Sequence, residues 1–263
     1  DIESVPVAGT LIAVPIVNVH GFNTGERYLP DRRDLNRCFP GSVRGSLGAR
    51  IAHLMMREIV ERSEVGIDLH TGSAHRANLP QIRGNMDDER TLELARVFGA
   101  PVALHSSIRD GSLRQAATEA GATVLLYEAG EALRFDRASI ETGVRGVRRV
   151  LDHLGMVEAD NASAVVEATD MLVCRSSRWL RATQSGICHL DVDLGARVEQ
   201  REPVGRILDP FGRRLGRITA TQAGIVIGRT EHPLVNRGDA VLHVAEISEA
   251  EPEATAASDP VGL

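Results

Sequence analysis

The sequence predicts an α/β fold in the first part of the chain, with a mainly parallel or mixed sheet flanked by helices, followed by a small all-β domain. Apolar, strand-like runs alternate with amphipathic helical segments up to residue 157, as in layered domains with a largely parallel sheet. Beyond residue 170, short β-rich segments are separated by closely spaced glycines and show no helical periodicity. The predicted units are an α/β domain over 1–157, a linker over 158–170, a β-rich domain over 171–247 and a disordered acidic tail over 248–263.

The first elements follow from local patterns. Residues 10–19 (TLIAVPIVNV) form an apolar, β-branched run that predicts a strand. Residues 21–46, crowded with Gly, Pro, Asp and Arg, predict a long loop of the kind that usually carries function. Apolar residues at helical spacing predict a helix over 47–63, and a short apolar run predicts a strand over 65–69 that ends at His70.

The later elements of this part alternate in type. They are a polar loop over 71–87, a helix over 88–98, a strand over 101–105, a helix over 112–120, a strand over 122–128 and a helix over 136–154. The strand over 122–128 gives the clearest buried-strand signal of the chain and ends at Glu128. Ligand sites of such sheets lie at the carboxyl ends of the strands, so we expect His70, Glu128 and the pair at 36–37 to lie together.

Composition and charge exclude several classes of function. The chain is 43% hydrophobic and 25% charged, as ordinary globular proteins are. No apolar run reaches the roughly 20 residues that span a bilayer, so we expect a cytoplasmic protein without a membrane partner. The net charge of −6 argues against a nucleic-acid partner. All 30 basic residues are arginines, which excludes a lysine Schiff base and a lysine general base.

Two groups of side chains in the first part carry candidate chemistry. Asp68 lies two residues before His70, so strand alternation places both on one face, where the carboxylate can orient the imidazole of a metal ligand. A structural role is the alternative for His70. Asn36 and Arg37 combine a neutral amide donor with a planar fork that suits a carboxylate. The alternative is that this pair ties down its own loop through hydrogen bonds.

Glu128 ends the most apolar strand of the chain. An ionisable group at such a place is unfavourable unless it is paired or used in chemistry. We interpret Glu128 as a general base that takes a proton from water. An ion pair with a nearby arginine is the alternative.

Three motifs together resemble those of one known family. They are DLNRCFPG at 34–41, DLHTG at 68–72 and YEAG at 127–130. In this order and at these distances they resemble the succinylglutamate desuccinylase/aspartoacylase family of zinc carboxypeptidase-like hydrolases. The resemblance covers about residues 8–155 and implies a zinc carboxypeptidase-like fold for this part.

The resemblance also implies roles for individual residues. It implies Zn²⁺ as cofactor with His70 as a ligand, and Glu128 as the group that activates water. It implies that Asn36 and Arg37 hold the carboxylate of the substrate. A further arginine of the family polarises the scissile carbonyl or grips the substrate, and two residues are candidates for it, Arg27 and Arg114.

One part of the family pattern is missing. The family has an HxxE zinc motif ahead of the strand that we predict over 10–19, and no such motif occurs there in this chain. A catalytic zinc normally takes three protein ligands. We therefore expect the α/β domain to be an N-terminally truncated version of an active enzyme. The alternative is a relative that has lost its metal.

The β-rich part resembles a second kind of module. The pattern from Gly195 to Gly205 and the AGIV sequence at 223–226 are similar to the barrel-sandwich modules of biotinyl and lipoyl carriers. Carriers attach their cofactor to a lysine, which this chain lacks. We therefore expect a non-carrier version that covers the mouth of the site or builds a homo-oligomer.

These observations predict a zinc-dependent amide hydrolase that removes an acyl group from a small N-acyl amino acid. It would be of the deacetylase or desuccinylase type. The stretch HRANLPQIR at 75–83 resembles the branch of the family that acts on acylated diamino acids and related small N-acyl compounds, and we expect it to line the substrate pocket. The main alternative is a metal-free protein that binds or senses an acidic metabolite, and a weaker one is a carboxypeptidase.

Overall fold

The computed structural model describes residues 7–73, 75–107, 109–158 and 171–247. Within these residues the helices are α1 (Val19–Thr24), α2 (Leu47–Glu58), α3 (Glu89–Phe98), α4 (Leu113–Glu119) and α5 (Arg137–His153). The strands are β1 (Val65–Gly72), β2 (Arg76–Gly84), β3 (Val102–His105), β4 (Thr123–Glu131), β5 (Leu172–Arg181), β6 (Gly186–Leu190), β7 (Arg197–Val198), β8 (Pro203–Leu208), β9 (Arg214–Thr219), β10 (Gly224–Thr230), β11 (Leu234–Val235) and β12 (Ala240–Ile247). Two short 3-10 turns, Leu35–Arg37 and Val60–Arg62, lie on either side of α2.

A mixed eight-stranded sheet forms the centre of the fold, in the order β1-β4-β2-β3-β5-β12-β10-β7. β1 is parallel to β4, β2 is antiparallel to β4, and β3 is parallel to β2. Because β10 also pairs with β2, the strands β2, β3, β5, β12 and β10 close into a five-stranded barrel. A second sheet has the order β11-β6-β8-β9. The predicted mixed sheet with flanking helices is confirmed.

Alternation along β4 gives the sheet two covered faces. Leu125 and Tyr127 point to one face and pack in a buried cluster with Phe98 at the end of α3. Val124 points to the other face and belongs to the cluster that includes buried residues of α2 and α4. Glu128 follows the alternation of Val124, so the candidate chemistry lies on the same side of the sheet as α2 and α4.

Side-chain caps define where the helices begin. Ser46 accepts a hydrogen bond from the backbone of Ala49 at the start of α2, and Asp136 accepts one from Ser139 at the start of α5. Asp88 and Ser112 cap α3 and α4 in the same way. Each cap satisfies a backbone N–H that has no partner within its helix. The four predicted helices are confirmed, although α2 ends at Glu58 and the following residues form a 3-10 turn.

The strand predicted over 10–19 is wrong. Residues 10–18 form no strand pairing, and Val19 begins α1. Four of their apolar side chains stay between 36 and 41% exposed, namely Leu11, Ile12, Val14 and Ile16. β-Branched composition favours an extended backbone, but a strand also needs a neighbour, and Pro15 removes one of the N–H donors that pairing requires.

The polar loop predicted over 71–87 is also wrong, because most of it is β2, a strand inside the sheet. Its buried positions include the polar side chains of Asn78 and Gln81, which hide the apolar alternation of a strand. Pro80 is accommodated where the pairing with β4 shifts register, between Asn78 and Gln81. The Gln81 side chain is satisfied inside the sheet, because its Nε2 donates to the Ile227 carbonyl of β10 at 3.0 Å.

The last part of the chain is all-β, as predicted, but four of its strands, β5, β7, β10 and β12, belong to the central sheet. The two predicted domains therefore share one sheet, and the separate barrel-sandwich unit stays a prediction. The tail over 248–263 and the linker from residue 159 onward lie outside the described residues. None of the helices in the described ranges has the length and apolar character needed to cross a membrane.

Candidate active site

A cavity of about 250 Å³ brings all of the predicted site residues together. These residues are Arg27, Asn36, Arg37, Asp68, His70, Arg114 and Glu128. They come from the loop after α1, the 3-10 turn at 35–37, β1, α4 and β4. The fold therefore joins stretches that are far apart in sequence around one concave surface.

The imidazole of His70 is oriented by Asp68. The two side chains lie on one face of β1, and the His70 Nε2 atom is 2.8 Å from Asp68 Oδ2. Across the parallel pair, His70 is in register with Glu128 of β4. Burial lowers the pKa of His70, but the hydrogen bond and charge of Asp68, with the charge of Glu128, outweigh it and leave this pKa above its ordinary value.

The carboxylate of Glu128 is held by two side chains of the neighbouring strand β2. Asn78 Nδ2 donates to Oε1 at 2.9 Å, and Arg83 Nε pairs with Oε2 at 2.9 Å. The ion pair considered from the sequence is therefore present. Each oxygen has two lone pairs, so the carboxylate is fixed in orientation and can still accept another hydrogen bond.

Asn36 and Arg37 lie on the 3-10 turn Leu35–Arg37. Asp34 caps the start of this turn, since its Oδ1 accepts a hydrogen bond from the backbone N–H of Asn36 at 3.0 Å. The Asn36 Oδ1 atom accepts from the backbone N–H of Leu113, at the start of α4, at 2.8 Å. This bond leaves the amide NH₂ of Asn36 as a donor. Arg37 is exposed at the cavity, and its guanidinium donates to the Asn36 carbonyl. The pair therefore both fixes its loop and lines the cavity.

The two candidate arginines differ in their surroundings. Arg27 is exposed and forms an ion pair with Asp34 at 2.8 Å. Arg114 is only 8% exposed, and its Nη2 donates to the backbone carbonyls of Ser106 and Ser107 at 3.0 and 2.8 Å. Burial, with the nearby charges of Arg83 and Arg109, lowers the pKa of Arg114.

Several lining residues escaped the sequence analysis. They are Ser106, Arg109, Ser112 and Trp179. Arg76, Asn78 and Arg83 belong to the stretch 75–83 that was expected to line the pocket, and they do so from the strand β2 rather than from a loop. Nothing in the sequence indicated Trp179, because it reaches the cavity only through the pairing of β5 in the central sheet.

Trp179 lines the cavity from β5, in the second, β-rich part of the chain. Its ring stacks on that of His243, with 4.5 Å between centroids and 12° between planes. The guanidinium of Arg76 lies 4.9 Å from the Trp179 ring centroid, a cation–π contact. His243 Nε2 lies 2.9 Å from Ser177 Oγ. Strand β5 therefore contributes Trp179 to the cavity, and β12 supports that ring through His243.

We expect His243 to stay neutral in the folded protein well below pH 6. Burial, together with Arg83, Arg109 and Arg76, lowers its pKa to about 3. In the unfolded chain the pKa of His243 is about 6.5. Between about pH 3 and pH 6.5 the unfolded state therefore binds more protons than the folded state. The free energy of unfolding should fall as the pH drops through this window, by up to about 1.4 kcal/mol per pH unit from this group.

NMR of the histidine ring signals measures the pKa of His243, and urea unfolding at pH 7 and pH 5 measures the change in the free energy of unfolding. A His243→Gln variant provides the comparison, because its stability should depend less on pH over the same window. A His243 ring that titrates near its ordinary pKa would contradict the prediction.

The described residues contain no group of three or more His, Cys, Asp or Glu side chains that could hold a metal ion. An imidazole oriented by a carboxylate, as in His70, has the chemistry of a metal ligand. A catalytic zinc takes three protein ligands. The residues of the described ranges therefore do not form a complete zinc site by themselves.

The chain is similar to proteins of one family. Residues 1–154 match the family described as the succinylglutamate desuccinylase/aspartoacylase catalytic domain. The chain is 29% identical to the N-alpha-acetyl-L-2,4-diaminobutyric acid deacetylase of Halomonas elongata over 259 residues, which covers 93% of this chain and 74% of that protein.

Solved structures of proteins from the same family are also similar to this chain. The product-bound ectoine utilization protein EutE (DoeB) from Ruegeria pomeroyi is 26% identical, with a TM-score of 0.81 and coverage of 91% of this chain and 76% of that one. A succinylglutamate desuccinylase/aspartoacylase from Rhodobacter sphaeroides is 27% identical, with a TM-score of 0.78 and coverage of 89% and 74%.

Proposed function

Because this chain belongs to the succinylglutamate desuccinylase/aspartoacylase family, a family of deacylating hydrolases, we propose that it hydrolyses the amide bond of a small N-acyl amino acid. The family resemblance predicted from the three motifs is confirmed. The observation that carries the proposal is that Asp68, His70 and Glu128, on two adjacent parallel strands, line the same cavity as Asn36 and Arg37.

In this proposal Glu128 is the general base. Its carboxylate takes a proton from the water that attacks the amide carbonyl, and it then delivers the proton to the nitrogen of the leaving amine. Asn78 and Arg83 support this role because they hold the two carboxylate oxygens in one orientation. A base that is fixed before the substrate arrives loses little further freedom in the transition state.

Asn36 and Arg37 bind a carboxylate of the substrate. The guanidinium of Arg37 is exposed at the cavity, where it can engage a carboxylate through two parallel N–H donors. The Asn36 amide is anchored through its oxygen to Leu113 and offers its NH₂ group. Anchoring the carboxylate sets the position of the scissile bond relative to Glu128.

We include Zn²⁺ in the proposal, with His70 as one ligand. When bound, zinc polarises the amide carbonyl and lowers the pKa of a water molecule. The remaining ligands would come from outside the described residues, which offer no cluster of three. The similarity to a diaminobutyric acid deacetylase supports an acetyl group, and the family description supports a succinyl group as well.

Hydrolysis and metal content of the full gene product test this proposal together. The substrates are Nα-acetyl-L-2,4-diaminobutyrate, N-acetyl-L-aspartate and N-succinyl-L-glutamate, and released acetate or succinate is measured. We expect turnover of at least one of them, about one zinc per chain by elemental analysis, and loss of turnover after treatment with a chelator. Absence of turnover on all three with zinc supplied would contradict the proposal and favour a metal-free binding protein.

A further inference from the structure

Two exposed histidines from distant parts of the chain lie side by side. His75 stands directly before β2, and His232 follows β10. Their ring centroids are 5.4 Å apart, and the ring planes are inclined by 37°. Ser73 and Arg76, on either side of His75 in the chain, line the cavity, so the pair lies next to it. The proposed hydrolysis uses neither imidazole.

The sheet fixes the two histidines relative to each other. Arg76 of β2 is in register with Thr230 of β10, in the pairing that closes the barrel. Just beyond this pairing, the backbone N–H of Glu231 donates to the His75 carbonyl at 2.7 Å. Because the backbone already holds the two rings together, a ligand shared by both binds with little further loss of chain entropy.

The ring nitrogens are available to such a ligand. His232 Nδ1 lies 2.8 Å from the carbonyl oxygen of Leu234, to which it donates a hydrogen bond. The Nε2 atom of a neutral His232 ring then keeps a lone pair. The His75 ring makes no hydrogen bond or ion pair with other described residues. An imidazole that donates from one nitrogen to a backbone carbonyl and keeps the other for an ion is the usual form of a metal-binding histidine.

The separation of the rings matches the geometry of one shared ion. With ligand nitrogens about 2.1 Å from a tetrahedral ion and roughly 1.1 Å from their ring centroids, two imidazoles place those centroids about 5 Å apart. The observed 5.4 Å is close to this distance. Stacking is the alternative for two neighbouring rings, but their planes are inclined by 37°, against 12° for the stacked rings of Trp179 and His243. A shared ion therefore fits the arrangement better than stacking does.

The charged neighbours of the pair are already engaged. The Glu231 carboxylate forms an ion pair with Arg229 at 3.1 Å, and Arg229 also contacts Asp193 at 3.0 Å. The guanidinium of Arg76 lies over the Trp179 ring. The described residues therefore offer the two imidazoles as ligands here, and imidazole suits Zn²⁺, Cu²⁺ and Ni²⁺ rather than Mg²⁺ or Ca²⁺.

We propose that His75 and His232 bind one divalent transition-metal ion, which links the β1–β2 connection to the β10–β11 connection beside the cavity. Two protein ligands leave the other coordination positions to water, so this ion is held less tightly than a structural zinc with four protein ligands. Because Ser73 and Arg76 line the cavity, an ion at this pair restrains that part of its lining. The inference does not depend on the proposed function.

Isothermal titration calorimetry with Ni²⁺ on the full protein tests the inference. The protein is first given one equivalent of Zn²⁺, which fills the site proposed at His70. We expect one further Ni²⁺ to bind per chain, with an affinity that excess Mg²⁺ does not change. Binding that excess Mg²⁺ abolishes would overturn the inference, because oxygen ligands rather than imidazoles would then hold the ion.

Histidine variants locate the ion. His75→Asn and His232→Asn should each weaken Ni²⁺ binding by about tenfold or more, because the second ligand no longer acts within the same molecule. Both side chains are exposed, and asparagine tolerates the positive φ of 58° at His75, so the variants should fold. His20→Asn, at an exposed histidine of α1, is the matched control and should leave the affinity unchanged. Loss of affinity in only one of the two variants, or in neither, would overturn the inference.

Amide hydrogen exchange measures the link between the two connections. Ni²⁺ should slow exchange around His75 and around His232 in the unchanged protein, and in neither segment of His75→Asn. Slowing in one segment alone would overturn the inference, because a shared ion restrains both. Binding of Ni²⁺ at this pair without hydrolysis of any substrate would contradict the proposed function and support this inference.

Discussion

Replacement of Glu128 by glutamine is expected to lower kcat for amide hydrolysis by about 10³-fold. The amide of glutamine keeps the shape of the carboxylate but cannot take a proton from water. KM should change little, because the proposed function assigns the carboxylate of the substrate to Asn36 and Arg37 rather than to Glu128. Steady-state kinetics on the best of the three substrates measures both constants.

The matched control for this variant is Glu131→Gln, on the same strand but outside the cavity. It changes the net charge equally and should keep kcat near that of the unchanged protein. Glu128→Gln also leaves Arg83 without its carboxylate, so thermal unfolding should be measured to show that the variant is folded at the assay temperature. A folded variant with nearly normal kcat would rule out Glu128 as the base.

The largest expected effect on stability comes from Phe98→Ala, which should lower the free energy of unfolding by about 3–5 kcal/mol. Phe98 is fully buried at the end of α3, and its ring centroid lies 5.0 Å from that of Tyr127 on β4. On its other side it fills the space left by Gly146 of α5, where even a methyl group would overlap the ring. Truncation would leave a cavity at the junction of three elements.

Urea unfolding followed by circular dichroism measures this change. Phe211→Ala is the matched control, because Phe211 is 82% exposed and its loss should change the free energy of unfolding by less than about 0.5 kcal/mol. If Phe98→Ala lowered the free energy of unfolding by no more than Phe211→Ala does, the packing described for α3, α5 and β4 would be incorrect.

Local signals made much of the fold predictable. The helices could be predicted because caps such as Asp88 and Asp136 and the apolar spacing act within a few residues. β4 could be predicted because it is buried on both faces and reads as a continuous apolar run. Residues 10–18 show the limit of such signals, since an extended apolar run becomes a strand only when another segment pairs with it.

Residues of the candidate site could be predicted where their type and their place in a motif indicate a chemical role. Asn36, Arg37, His70 and Glu128 stand in motifs, and the structure places them around one cavity. Asn78 and Arg83 were expected at the pocket, but on a loop, because polar residues on the inner side of β2 resemble those of a loop; that they hold Glu128 from a paired strand was not predicted. Trp179 was missed because its position depends on long-range strand pairing, which leaves no local trace.

The closure of the five-stranded barrel has a consequence for the order of events during synthesis. β2, which carries the two side chains that hold Glu128, pairs with β10, and Asn78 lies in register with Gly228. Contacts between residues so distant along the chain form late, because a long loop must close before they contribute. As the chain leaves the ribosome, the helices and the β1–β4 pair can fold early. The strand that holds the Glu128 carboxylate is paired on both edges only after β10 has emerged.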